Sequence, residues 1–129
     1  MEILNILTRH HVPFDDFDDA VAFYVSILGR QPRLALEPIE GQLKLAQIAS
    51  MLVIGANEEI MPHISDIRAA YLVSDIDAWA TSLEAKGAAI EVPISTIPTG
   101  SYMIVRHPDG LRVEYVEHAI KHPSDRMSA

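Results

Sequence analysis

Two segments of this chain carry apolar residues at the spacing of a helix that is buried along one side. The first runs from Asp16, a candidate N-cap, to Gly29, which favours a helix stop. The second repeats this plan from Asp75 to Gly87. The predicted buried stripes are Phe17, Val21, Tyr24 and Leu28 in the first helix, and Ile76, Trp79, Ala80 and Leu83 in the second. We therefore expect the large aromatic residues of these helices, Phe23 included, to be packing anchors.

Short segments with the composition of strands surround the two helices. One precedes each helix, at residues 3–11 and 67–73. Three follow each helix and are separated by Gly- and Pro-containing turns: residues 32–37, 42–49 and 51–55 in the first half, and 90–94, 102–106 and 111–117 in the second. The chain thus reads as strand–helix–strand–strand–strand, written twice.

This repeat predicts an α+β fold, with two βαβββ modules in one domain and curved sheets enclosing a shared cleft. We place the domain at residues 1–120, with module one at about 1–57 and module two at about 66–118. Residues 121–129 form a polar C-terminal tail, which we expect to be frayed.

Composition narrows the possible partners. The 129 residues include 10 Lys and Arg against 18 Asp and Glu, a net charge of −8, which argues against nucleic acid or an anionic membrane surface as a partner. The absence of cysteine excludes disulfides, thiol nucleophiles and Cys-ligated zinc. No apolar run is long enough to span a bilayer, so we expect a cytoplasmic protein.

The last strand carries the most informative side chain. The turn His107-Pro108-Asp109-Gly110 leads into it, and the alternation that follows places Val113 and Tyr115 on one face. Glu114 therefore projects from the opposite face. Whether this carboxylate contacts a metal ion, an arginine or only water decides the chemistry of the protein.

Three pieces of the chain resemble the vicinal oxygen chelate superfamily, which holds glyoxalase I, bleomycin-resistance proteins and extradiol dioxygenases. They are residues 16–29 with the run Ala-Val-Ala-Phe-Tyr, residues 73–88 with Val-Ser-Asp-Ile-Asp, and residues 107–114 with His-Pro-Asp-Gly and Val-Glu. The resemblance covers Ile3 to His118. It implies the fold, whereas the reaction has to be argued from the site.

In metal-dependent members of this superfamily, four strands each contribute one ligand to a divalent ion. Carried over to this chain, the four positions fall on Arg9, near Val53, on Arg68 and on Glu114. Arginine cannot deprotonate and cannot be a ligand. A divalent ion about 4 Å from one guanidinium would be repelled by roughly 8 kcal/mol at an effective dielectric constant of about 20. We therefore expect no metal and no other cofactor.

The resulting hypothesis is a metal-independent small-molecule-binding protein that uses Arg9, His11, Arg68 and Glu114. Arg68 and Glu114 are expected to pair, and an arginine is expected to receive an anionic or carbonyl group of the ligand. Sequestration of a toxic compound, as in the bleomycin-resistance branch, is one use that the resemblance implies. Since members of the family commonly dimerise, we also expect a homodimer. Catalytic residues are not predicted.

Two alternatives stay open. The first is a lyase, isomerase or dioxygenase whose degenerate metal site uses Glu114 with His10 or His11. The second is an interaction module whose cleft is vestigial.

Overall fold

The computed structural model describes residues 1–127, and the chain divides into two compact units. We call Thr8–Arg68 the N-terminal unit. We call Met1–Leu7, together with the described residues from Ala69 onward, the C-terminal unit. The long first strand, β1 (Glu2–Pro13), contributes its first residues to one unit and the rest to the other.

The N-terminal unit is a sheet of four strands with one long helix packed on it. After β1 come a 3-10 turn (Phe14–Asp16), α1 (Phe17–Leu28), β2 (Leu34–Ile39), β3 (Leu43–Ile48), β4 (Met51–Ala56) and the single-turn helix α2 (Met61–Ile64). The strand order is β2-β3-β4-β1, with β4 and β1 parallel and the other neighbours antiparallel. Beneath α1 the core is formed by Phe17, Ala46, Ile48 and Val53.

A glycine on β4 lets the start of α1 approach the sheet. A Cβ at Gly55 would lie 2.8 Å from the Cβ of Phe17, a distance that real Cβ atoms do not reach. Glycine at this position therefore allows the Phe17 ring to pack directly on the strand. Gly55 and Val53 lie on the same face of β4, so this contact identifies the face covered by α1.

The C-terminal unit has the same arrangement. It comprises β5 (Ala69–Ser74), α3 (Ile76–Ala85), β6 (Ala89–Ile97), β7 (Gly100–Arg106), β8 (Arg112–His118) and a 3-10 turn (Pro123–Asp125). The order is β5-β8-β7-β6, with β5 and β8 parallel and the first residues of β1 beside β5. The core against α3 is formed by Val73, Ile76, Leu83, Ala88, Met103, Val105, Val113 and Tyr115.

The α+β class and both βαβββ sequences are confirmed, and every strand lies within a few residues of its predicted position. The short helix α2 is an addition, because it lies between the two predicted modules, where no helix was expected. The shared cleft stays a prediction. None of the helices among residues 1–127 is long and apolar enough to cross a membrane.

The predicted N-caps are wrong in detail. Neither Asp16 nor Asp75 makes a side-chain capping hydrogen bond. Asp75 has the left-handed backbone conformation, with φ of 57°. The Ile76 N–H at the start of α3 is instead bonded by the Glu117 carboxylate, whose Oε1 accepts at 2.9 Å from 41 residues further along the chain.

Three predictions about exposure are also wrong. Leu28, which was placed on the buried stripe of α1, is 40% exposed. Phe23 is 57% exposed, because α1 turns Val21 and Tyr24 towards the sheet instead. The C-terminal tail is not frayed through Met127. Asp125 is only 4% exposed, and the Met127 N–H donates to the Leu4 carbonyl at 2.7 Å. Residues 128–129 of the predicted tail lie outside the described residues.

Candidate functional site

The alternation of β1 separates its three basic residues. Arg9 and His11 lie on the face of the N-terminal unit that α1 does not cover. His10 lies on the helix side, where its ring centroid is 5.5 Å from that of Tyr24. Its Nε2 is hydrogen-bonded to the Thr8 hydroxyl at 3.0 Å. The register therefore excludes His10 from the surface that carries Arg9 and His11.

Arg68 is brought to this surface by the backbone. It directly precedes β5, and its carbonyl accepts a hydrogen bond from the Arg9 N–H at 3.0 Å. Its side chain is exposed, whereas Arg9 and His11 are half-buried. A main-chain hydrogen bond thus holds the backbone of the exposed Arg68 beside that of Arg9, a more sheltered basic residue.

The pKa of His11 reports the positive electrostatic field at this surface. The pKa of its imidazole is lowered to about 4, mainly by burial, then by the positive charges of Arg9 and Arg68, with a smaller contribution from His10. Asp66 acts in the opposite direction. His11 is therefore a neutral imidazole at pH 7. Its Nε2 is buried and has no hydrogen-bond partner among residues 1–127.

We call Arg9, His11 and Arg68 the basic surface. Two guanidinium groups and a neutral imidazole are suited to an anionic or carbonyl oxygen, because all three can donate hydrogen bonds. An anion placed here would also be favoured by the same positive field that keeps a proton off His11.

The basic surface does not fit a divalent metal ion. Arg9 occupies the first ligand position that the family resemblance implies, and a guanidinium has no lone pair to offer. On β4, the residues beside Arg9 and His11 in the sheet are Leu52 and Ile54, both apolar. Val53, near which a ligand position was placed, faces the α1 core instead. Among residues 1–127, no three His, Asp or Glu side chains come together as a metal site requires.

Glu114 belongs to the C-terminal unit. Its neighbours Val113 and Tyr115 are buried against α3, so Glu114 points from the opposite face of β8, as its alternation predicts. It is half-buried and lies between Ala70 of β5 and Ile104 of β7. The expected pairing of Glu114 with Arg68 stays a prediction.

The alternation of residues along β7 does not by itself show whether Tyr102 or Met103 shares the face of Glu114, and the structure decides this. Met103 is fully buried in the α3 core, so Tyr102 is the residue that lies on the face of Glu114. Sequence alternation alone had left Tyr102 and Met103 equivalent.

Sequence reasoning missed an aromatic cluster in the C-terminal unit. The Tyr115 hydroxyl and His107 Nε2 are hydrogen-bonded at 2.8 Å, and the Tyr71 ring centroid is 5.2 Å from that of Tyr115. The pKa of Tyr115 is raised to about 12, mainly by burial and to a smaller extent by Tyr71, so the phenol stays protonated. The only signal in the sequence is that His107 and Tyr115 flank the same turn.

An open cavity of about 620 Å³ was also missed. It lies in the C-terminal unit and is lined by Glu2, Leu4, Ser74, Lys121, His122, Pro123, Asp125 and Arg126. Its charges are largely satisfied: the Arg126 guanidinium donates to both carboxylate oxygens of Glu2, at 3.0 and 3.1 Å. Lys121 donates to the His118 carbonyl at 2.7 Å. The cavity therefore has less attraction for an anion than the basic surface.

The chain is thus a two-module α+β protein. One βαβββ unit carries a basic strand face and the other carries a half-buried carboxylate. The model of the Glyoxalase/Bleomycin resistance protein/Dioxygenase superfamily matches residues 6–115. The chain belongs to this superfamily, as its resemblance predicts.

Solved structures extend the comparison. An uncharacterized protein from Methanosarcina mazei is 38% identical, with a TM-score of 0.85 over 95% of this chain and 99% of that chain. Methylmalonyl-CoA epimerase from Mycobacterium tuberculosis is 19% identical, with a TM-score of 0.69 over 92% of this chain and 90% of that chain. A variant of the Streptomyces coelicolor methylmalonyl-CoA epimerase, in complex with 2-nitronate-propionyl-CoA, is 17% identical, with a TM-score of 0.66 over 91% and 99%. Identities of 17–19% show that the epimerases have the same fold as this chain, and they show nothing beyond the fold. No protein of curated function matches the chain.

Proposed function

We propose that this chain is a metal-independent small-molecule-binding protein of the superfamily, and that it binds the anionic or carbonyl group of its ligand at the basic surface. In this proposal Arg9 and Arg68 receive the anionic group, and His11 adds a hydrogen bond through Nε2. Sequestration of a toxic or anionic compound, without conversion, is the use that we assign to it.

One observation carries the proposal: the electrostatic environment of His11. Its pKa is lowered to about 4 by burial and by two guanidinium groups, in a chain whose net charge is −8. A positive field against an acidic background favours an anion over a divalent cation. Among residues 1–127, no three His, Asp or Glu side chains lie close enough together to hold a metal ion.

Matched pairs of acids and amides test the anionic part of the proposal. We expect benzoate and related aromatic carboxylates to raise the melting temperature, and benzamide and the corresponding amides to leave it unchanged. A ligand at a hundred times its Kd stabilises a protein by about 2.7 kcal/mol, which a thermal-shift assay detects readily. The same assay with antibiotics, bleomycin included, tests the sequestration use.

Arginine variants locate the binding. Arg9→Gln and Arg68→Gln should each abolish the shift caused by the acids. Arg30→Gln, which removes an exposed arginine just beyond α1, is the matched control and should keep it. Equal shifts for acids and amides, or a shift that survives both Arg9→Gln and Arg68→Gln, would contradict the proposal.

The metal-dependent alternative is favoured by one feature: a neutral imidazole is the protonation state that a metal ligand must have. His11 meets this condition with its buried Nε2, whereas His10 lies against Tyr24. Metal analysis of protein purified without chelator decides between the two. Stoichiometric metal that is lost in Glu114→Ala and His11→Ala would replace our proposal with a lyase, isomerase or dioxygenase. Methylmalonyl-CoA is then the first isomerase substrate to assay, since one solved structure of similar fold is an epimerase that binds it.

A further inference from the structure

The cavity of the C-terminal unit plays no part in the proposed function, yet its size is that of a ligand site. Its volume of about 620 Å³ lies within the range of small-molecule pockets, roughly 300–1,000 Å³. The first residues of β1 form one part of its wall, and residues 121–126 form another. Leu4 and Pro123 give this wall apolar area, while the other lining residues are polar or charged.

The charges that line the cavity cancel. Lys121 and Arg126 are cationic, whereas Glu2 and Asp125 are anionic. Arg126 pairs with Glu2, and the Lys121 ammonium lies 3.3 Å from Glu117 Oε2. The Asp125 carboxylate is 4% exposed and accepts a backbone N–H. An ion of either sign is therefore attracted by one member of each pair and repelled by the other, so an uncharged ligand is favoured.

The Arg126–Glu2 pair keeps hydrogen-bonding capacity for a ligand. Two guanidinium N–H groups donate to the two carboxylate oxygens, at 3.0 and 3.1 Å. The Nε–H of Arg126 and the second lone pair of each Glu2 oxygen are not used by this pair. A hydroxyl group can accept from a guanidinium and donate to a carboxylate at the same time. The edge of the pair thus matches two neighbouring hydroxyl groups, a vicinal diol.

Two more lining groups can donate hydrogen bonds. Ser74 Oγ accepts the Glu2 N–H at 2.9 Å, so its own hydrogen is available to a ligand. His122 Nδ1 accepts the Ser124 N–H at 3.1 Å, which places the ring hydrogen on Nε2. The oxygens of a polyol accept such hydrogen bonds, and its C–H groups can pack on the apolar part of the wall.

We propose that this cavity binds an uncharged sugar or cyclic polyol, independently of the basic surface. The Arg126–Glu2 pair holds two neighbouring hydroxyl groups, while Ser74 and His122 donate to further oxygens. Because the cavity is open and its polar groups must give up water, we expect a Kd of about 1 mM for a single ring.

Titrations followed by two-dimensional NMR test the site and its charge preference. The probes are glucose, galactose and myo-inositol, and at least one should shift the backbone amide signals of Ser74 and His122 with millimolar saturation. Glucuronate and glucosamine, which carry a negative and a positive charge, should bind no more tightly than the uncharged probe. Salt should leave the Kd of that probe unchanged, because no charge on the ligand is screened.

Glu2→Gln is the sharpest variant, because it unbalances the charges of the cavity. It removes the carboxylate from the diol-binding pair and leaves the Arg126 guanidinium without its counter-ion. We expect the Kd of the uncharged probe to rise at least about tenfold, and glucuronate to bind the variant more tightly than that probe does. Glu84→Gln, the same change at an exposed position of α3 outside the cavity, is the matched control and should have neither effect.

Three results would overturn the proposal. The first is the absence of saturable shifts at Ser74 and His122 with all three probes up to about 100 mM, roughly a hundred times the expected Kd. The second is a Kd that Glu2→Gln and Arg126→Gln both leave unchanged. The third is tighter binding of glucuronate or glucosamine than of every uncharged probe by the wild-type protein, which would assign the cavity to an ion. The amide spectrum of each variant shows in the same experiment whether the fold is kept.

Discussion

At the residue scale, the decisive feature is the protonation state of one histidine. His11 is influenced by the positive charges of Arg9, two residues earlier on the same strand, and of Arg68, whose carbonyl accepts the Arg9 N–H. Burial and two positive charges act in the same direction, and only Asp66 opposes them. A neutral imidazole is consequently retained at pH values where an exposed histidine is already protonated.

This environment makes a prediction about pH. Because the folded-state pKa of His11, about 4, lies below its unfolded value near 6.5, the unfolded chain binds more protons between these values. The contribution of His11 to stability is therefore complete above about pH 6.5 and is lost as the pH falls towards 4. NMR titration of the His11 ring and urea unfolding at several pH values should both show it.

Variants isolate this contribution. His11→Asn should flatten the fall in unfolding free energy between pH 6.5 and 4, whereas His63→Asn, an exposed position on α2, should not. An anion bound at the basic surface should raise the His11 pKa, because it offsets the arginine charges. An imidazole that titrates near 6.5 in the folded protein would show that the positive field at this site is weak.

At the element scale, α3 begins in a way that local sequence does not encode. The Ile76 N–H donates to the Glu117 carboxylate, and this hydrogen bond is the main reason that the pKa of Glu117 is lowered. A carboxylate from the end of β8 thus performs the task that Asp75 was expected to perform, and it ties the helix to the last strand.

We expect Glu117→Ala to lower the unfolding free energy by about 1 kcal/mol, the usual cost of a lost N-cap. Since the folded-state pKa is lowered, the contribution is present above the ordinary pKa of 4.5 and disappears as the pH falls below it. Denaturant unfolding measures both effects. Glu84→Ala, an exposed glutamate on the same helix, is the control and should show neither.

At the scale of the whole molecule, the C-terminal segment is part of the folded C-terminal unit. The Asp125 carboxylate is buried, accepts the His122 N–H at 3.1 Å and lies 3.4 Å from His118 Nδ1. Beyond it, Arg126 pairs with Glu2 at the start of β1. The buried contact therefore ties this segment to the end of β8, and the exposed contact joins it to the start of β1.

The buried contacts of Asp125 and the exposed Arg126–Glu2 pair should contribute differently to the unfolding free energy. Asp125→Ala should lower the unfolding free energy by about 1–3 kcal/mol, because it leaves buried donors without their acceptor. Arg126→Ala should change it little, because the pair with Glu2 is exposed and water screens it. Thermal unfolding of the two variants provides the comparison. Equal losses would mean that the segment is held as a unit rather than by Asp125.

The chain itself determined the secondary structure to within a few residues. The apolar stripes of α1 and α3, the turn residues between the strands and the repeated spacing of the two halves are local patterns, and local patterns follow backbone geometry. The alternation of β1 and β8 likewise set the faces of Arg9, His11 and Glu114 correctly, because a strand has a period of two.

Only the tertiary structure decided which side chain satisfies which group. Glu117 rather than Asp75 caps α3, and Asp125 anchors the C-terminal segment, because their partners are close in space and distant or inconspicuous in sequence. The tertiary structure also decides that Phe23 faces outward and that the pKa of His11 is lowered. Burial and electrostatic fields depend on all surrounding groups, so the amino-acid pattern of one segment does not contain them.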